Sequence, residues 1–122
     1  MPKICCVDDN YQSSLLVDTV LTSVGYSVDL FYSPLKFLDQ LNKNVGYDLI
    51  VMDICMPEMS GIDCFKKVQL VSADIPVVAM TALALQDELI EIKKVQFSDI
   101  VIKPIQVIDF IERVKKLCPI KN

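Results

Sequence analysis

The chain has 122 residues, 52% of them hydrophobic and 23% charged, with a formal net charge of −4. That length suits one domain, residues 1–122, with a hydrophobic core of its own, and the composition excludes a disordered chain. The acidic balance argues against direct nucleic-acid binding, and no apolar run nears the roughly 18 residues of a membrane span.

Met1-Pro2-Lys3 leads straight into an apolar run, Ile4 to Val7, so no signal peptide is expected and the chain reads as cytoplasmic. The run ends at Asp8-Asp9. Over residues 11–24, Val17, Val20, Leu21 and Val24 fall on one helix face, and Gly25 supplies a C-terminal stop. Val28 and Leu30, with Tyr26 as a possible start, predict a second strand. Ser33-Pro34 forms a cap and first-turn pair, opening a helix through about Leu41.

Asp48 to Met52 is a third strand, nearly all apolar, as expected when both faces are covered. Ser60 caps a helix carrying Ile62, Phe65 and Val68. Ile75 to Met80 is a fourth strand, and a helix near 86–96 uses Leu85, Leu89 and Ile92. Asp99 to Ile102 is a fifth strand. The last helix, roughly 105–118, carries Val107, Phe110, Ile111 and Val114. Lys93-Lys94 and the set Arg113, Lys115, Lys116 read as solvated helix faces.

Five β-α units in succession predict an α/β fold: a doubly wound, five-stranded parallel sheet with helices on both faces. A (βα)₈ barrel needs about twice the length. No GxGxxG follows the first strand, so the dinucleotide fingerprint is missing.

Histidine is absent, which excludes a Ser-His-Asp triad, a His-ligated zinc and an internal phosphohistidine donor. The five cysteines, Cys5, Cys6, Cys55, Cys64 and Cys118, include no CxxC pair and read as reduced thiols acting as small hydrophobes. Cys55, beside the candidate site, is the one position where a redox role competes with that reading.

In a doubly wound sheet, ligands bind beyond the carboxyl ends of the strands. There the chain gathers Asp8-Asp9, Asp53, Thr81-Ala82 and Lys103-Pro104. Singly, each reads as a turn, a cap or a surface charge. Together, three carboxylates repel one another unless a cation sits among them, and an oxygen-only donor set suits Mg²⁺. A carboxylate can also be a nucleophile that forms an aspartyl phosphate. Phosphoryl transfer chiefly needs its equatorial oxygens neutralised, a task that Lys103, the Thr81 hydroxyl and the Ala82 N–H suit.

The set Asp8-Asp9, Asp53-Ile54-Cys55-Met56-Pro57 with Gly61, Thr81-Ala82 and Lys103-Pro104 closely resembles the receiver domain of response regulators. The resemblance spans essentially the whole chain. It implies a flavodoxin-like strand order 2-1-3-4-5. It implies that Asp53 is the phosphoacceptor, that Asp9 and Asp53 ligate Mg²⁺ through side chains and Cys55 through its carbonyl, and that Asp8 acts through a metal-bound water. It further implies that Lys103 pairs with the phosphoryl group, that Thr81 moves toward it on activation, and that Lys103-Pro104 is cis. A histidine kinase or phosphotransfer protein would supply the phosphate. An output domain or effector would read the face of the fourth helix, fifth strand and fifth helix.

Three departures stand out. The switch position that is aromatic in the family is Ile100, which puts the standard readout in doubt. Gln96-Phe97 replaces the usual Gly-Ala, and Phe97 is expected to pack beneath its loop. Cys55 and Leu83 occupy the positions that tune hydrolysis, and both are apolar, so slow loss of phosphate is expected. Two other functions compete: a degenerate receiver acting as a phosphorylation-independent interaction module, and a metal-dependent aspartyl phosphatase. The phosphatase lacks its DxDxT motif, since Ile54-Cys55 follows Asp53. The chain would be either a stand-alone receiver or the first domain of a longer regulator.

Overall fold

A computed structural model describes residues 1–43, 46–82 and 86–120, with the backbone alone for 86–88. The expected positions Leu83 and Leu85 lie outside the described residues. In chain order the elements are β1 (Lys3–Val7), α1 (Tyr11–Ser23), β2 (Ser27–Phe31), α2 (Pro34–Leu41), β3 (Leu49–Asp53), α3 (Gly61–Val71), β4 (Val77–Thr81), α4 (Gln86–Lys94), β5 (Asp99–Ile102) and α5 (Val107–Leu117). The strands form one parallel sheet of order β2-β1-β3-β4-β5.

The period of two along each strand divides the core. Ile4, Cys6, Leu49, Val51, Val78 and Met80 face the side covered by Val17 and Leu21 of α1 and Phe110 and Val114 of α5. Cys5, Val7, Ile50, Met52 and Val77 face the other side, under Phe37 of α2 and Cys64, Phe65 and Val68 of α3. Ala79 faces that side too, where Ile92 of α4 and Ile54 join it. The three central strands therefore read as continuous apolar runs because helices cover both of their faces.

Local chemistry sets the ends. Asn10 caps α1 by accepting from the Ser13 N–H at 3.0 Å, and Ser60 caps α3 by accepting from Asp63 N–H at 3.1 Å. Ser33 caps α2 with Pro34 as its first residue. Gly25 takes φ +108° just past α1, a conformation open to glycine and costly for other residues.

The structure corrects several boundaries. β4 begins at Val77 rather than Ile75, because Pro76 has no N–H to give to the ladder. β3 is displaced by one residue, so Asp53 lies within the strand. Tyr26 precedes β2, and its hydroxyl donates to the Cys118 carbonyl at 2.6 Å. α4 stops at Lys94, two residues before Gln96 turns into the left-handed region at φ +66°. α5 starts at Val107, which stays 45% exposed; the helix meets the core a turn later, at Phe110 and Val114. Arg113 is no freely solvated charge: it pairs with Asp99 at 2.7 Å and with Asp109 at 2.9 Å.

Candidate functional site

The candidate groups stand together at the carboxyl edge of the sheet. Asp8 and Asp9 follow β1, Asp53 and Thr81 are the last residues of β3 and β4, and Lys103 follows β5. The carboxylates of Asp8, Asp9 and Asp53 offer oxygens that all lie within 4.8 Å of one another. Lys103 Nζ donates to Asp8 Oδ2 at 2.8 Å and lies 3.4 Å from Asp53 Oδ1.

Asp8 is completely buried, and each of its polar groups has a partner. Its N–H donates to the Phe31 carbonyl at 3.0 Å, and its carbonyl accepts from the Ser14 hydroxyl at 3.2 Å. Its Oδ1 accepts from the Asn10 N–H at 2.9 Å, and Oδ2 takes the lysine. Asp9, by contrast, is exposed at the mouth.

Asp53 is buried, and its carboxyl is pushed up to about 6. Burial is the main cause and the charge of Asp8 the second; Lys103 and the Cys55 N–H, which donates to the carboxylate, pull the other way. Burial pulls the Lys103 ammonium down, but its bond to Asp8 and the charges of Asp53 and Asp8 outweigh that, so it stays above its usual range.

The loop after β3 is held tightly. Gly61 N–H donates to the Ile54 carbonyl at 2.8 Å. A Cβ on Gly61 would overlap the Asp53 carbonyl oxygen and come 2.8 Å from the Ile54 Cα, so only glycine lets α3 start this close to the site. Thr81 is buried, and its carbonyl accepts from the Lys103 N–H at 2.8 Å. Ala82 and Cys55 are exposed at the rim. The Lys103-Pro104 bond is cis, as the resemblance implied. An open pocket of about 540 Å³ covers the edge, lined by Asp9, Tyr11, Gln12, Asp53, Cys55 and Lys103 among others.

Ile100, the expected switch position, is half-buried beside Ile54, Ala79 and Ile92, on the face toward α4. Phe97 packs inward as expected, its ring 4.4 Å from that of Phe65. Sequence reasoning missed Ser14, Tyr11 and Gln12. Ser14 lies three residues before Val17 and seven before Leu21, so the helical period put it on the buried face but did not show which carbonyl its hydroxyl meets; rim residues follow only from the path of the chain past the pocket.

The family model for the response regulator receiver domain matches residues 4–115. The chain belongs to the response regulator receiver family. This receiver is 31% identical over 120 residues to the sporulation initiation phosphotransferase F of Bacillus subtilis, covering 98% of this chain and 96% of that one. It is 34% identical over 102 residues to the transcriptional regulatory protein ZraR of Klebsiella oxytoca, covering 84% of this chain but only 23% of ZraR. Among solved structures, the receiver domain of Francisella response regulator 1452 superposes with a TM-score of 0.85 at 27% identity, covering 96% of each chain. The chemotaxis protein CheY4 of Vibrio cholerae shares the fold, with a TM-score of 0.86 at 23% identity over 96% of this chain and 98% of that one.

The donor set of the receiver fits a hard divalent cation. It offers carboxylate oxygens from two strand ends within one coordination sphere's reach, with no thiolate or imidazole among them. No helix among the described residues is long and apolar enough to cross a membrane.

Proposed function

We propose that residues 1–122 form one receiver domain that takes a phosphoryl group onto Asp53 in a Mg²⁺-dependent reaction and so controls an output. The observation that carries this reading is the meeting of Asp8, Asp9 and Asp53 within 4.8 Å, with the Lys103 ammonium 3.4 Å from Asp53.

Asp9 and Asp53 would hold the ion through their side chains and Cys55 through its carbonyl, with Asp8 acting through a water. When bound, Mg²⁺ neutralises negative charge on the transferring group and orients it. The Asp53 carboxylate oxygen attacks phosphorus while the donor's N–P bond breaks. The imidazole leaves with the electron pair and takes up a proton. Lys103 moves from Asp8 toward a phosphoryl oxygen, and the Thr81 hydroxyl and Ala82 N–H serve the others.

Residues 1–122 hold no histidine, so the donor lies outside them: a histidine kinase, a phosphotransfer protein or a small phosphodonor. The output is a shifted equilibrium on the face of α4, β5 and α5, read by an output domain or an effector. The domain acts in the cytoplasm without binding nucleic acid or membrane. Incubation with Mg²⁺ and acetyl phosphate should add one phosphate, read by intact mass. Asp53→Asn or a chelator should abolish it; phosphate gained at that position by the variant would end the proposal. With apolar Cys55 and Leu83 at the two sequence positions that tune hydrolysis in the family, the phosphate should persist for minutes or longer without a partner.

One observation favours a second reading, a phosphorylation-independent interaction module. Ile100 is packed with Ile54, Ala79 and Ile92 and has neither the size nor the hydroxyl of the family's aromatic switch. Beryllofluoride with Mg²⁺ separates the two: amide shifts reaching α4 and β5 favour the switch, and their absence favours the module.

A further inference from the structure

The hydroxyl of Ser14 is fully buried in α1 and takes no part in the chemistry above. Serine in a helix usually bonds the carbonyl one turn back. Here the Asn10 carbonyl is occupied by the Ser14 N–H at 3.1 Å, and the hydroxyl reaches past the start of the helix to the Asp8 carbonyl at 3.2 Å. It also lies within hydrogen-bond reach of the buried thiol of Cys6 on β1.

From this geometry we infer that Ser14 is a positioning residue for the metal site. The peptide unit between Asp8 and Asp9 is planar, with the Asp8 carbonyl at one end and the Asp9 N–H at the other. A hydroxyl fixing that carbonyl therefore fixes the plane from which Asp9 projects. Asp8 is held by three other bonds, whereas Asp9 sits in exposed backbone at the mouth. Ser14 ties the turn carrying both acids to the rigid body of α1. Removing the hydroxyl leaves a buried carbonyl short of a donor and lets the turn relax, widening the range of Asp9 positions.

The inference rests on the Mg²⁺ reading above. Its test is a Mg²⁺ titration of the whole chain, followed by the amide shifts of Asp8, Asp9 and Asn10. Ser14→Ala should raise the dissociation constant about fivefold, the size of one lost buried hydrogen bond. Val20→Ala is the control: it opens a cavity on the same helix away from the site, and should lower thermal stability yet leave the Mg²⁺ affinity unchanged. Should Ser14→Ala fail to fold, Ser14→Cys, nearly isosteric with a weaker donor, takes its place and should weaken binding in the same direction. Unchanged affinity in the Ser14 variant, or equal weakening in Val20→Ala, overturns the proposal alone. No Mg²⁺-dependent shift in the unaltered chain overturns the metal reading and this proposal with it.

Discussion

Lys103 and Asp8 lie 95 positions apart in sequence and meet at 2.8 Å, the lysine mostly buried and the carboxylate wholly so. This pair closes the sheet edge from the β1 side to the β5 side. It also holds the ammonium one short movement from Asp53, 3.4 Å away.

Removing the lysine should expose what it balances. Lys103→Met leaves the buried Asp8 charge without its cation, and should cost about 2 kcal/mol in the metal-free chain, less than a fully buried pair because the lysine keeps some solvent. Mg²⁺ should restore part of that loss by supplying positive charge to the same acids. Urea unfolding with and without Mg²⁺ measures both effects; equal losses in the two conditions would contradict the account.

Asp53 gives a pH dependence of opposite character. Its carboxyl is raised from 3.8 to about 6 on folding, so the folded chain binds more protons than the unfolded one across that interval. Its contribution to stability is full below about pH 4 and is lost as pH rises through about 6. Metal-free Asp53→Asn, with no charge to bury, should therefore gain about 2 kcal/mol near pH 7.5. The gain should shrink as pH falls below about 6 and vanish only below about pH 4. Denaturation at the two pH values measures it, and a gain independent of pH would refute the assignment.

Gly61→Ala should destabilise the chain by about 2 kcal/mol, since the new methyl meets backbone rather than a yielding side chain. Because that backbone belongs to Asp53 and Ile54, the variant should also weaken Mg²⁺ binding. Calorimetry of melting and of metal binding tests the two together.

Gln96→Gly should act the other way. The φ of +66° is one that a side chain makes costly, so glycine should raise stability by about 1 kcal/mol. A lowered melting temperature would show that the Gln96 side chain contributes more than the strain it carries.

Much of this was legible in the sequence because the physics is local. Runs such as Leu49 to Met52 announce strands covered on both faces, and Ser33-Pro34 and Ser60 start helices by their own hydrogen bonds. The acids and the lysine were legible as a site because each follows an apolar run, which puts it at a strand's carboxyl end. What stayed hidden depends on distant partners. The Tyr26 hydroxyl finds a carbonyl at Cys118, and Arg113 joins Asp99 to Asp109. Both choices follow from how α5 lies on the sheet, which no window of sequence contains. Ser14 belongs with them only in part: the helical period puts it on the face of Val17 and Leu21, but the carbonyl its hydroxyl reaches depends on how α1 lies against the end of β1.

The distribution of thiols has a practical consequence. Cys5, Cys6, Cys64 and Cys118 are buried, with Cys6 and Cys64 pushed up to about 12, while Cys55 alone faces solvent. At neutral pH an alkylating dye should therefore attach at a single place in the native chain, two residues from Asp53. With no tryptophan to contribute background, that dye would turn the native protein into an optical sensor of its own occupancy without any engineered cysteine.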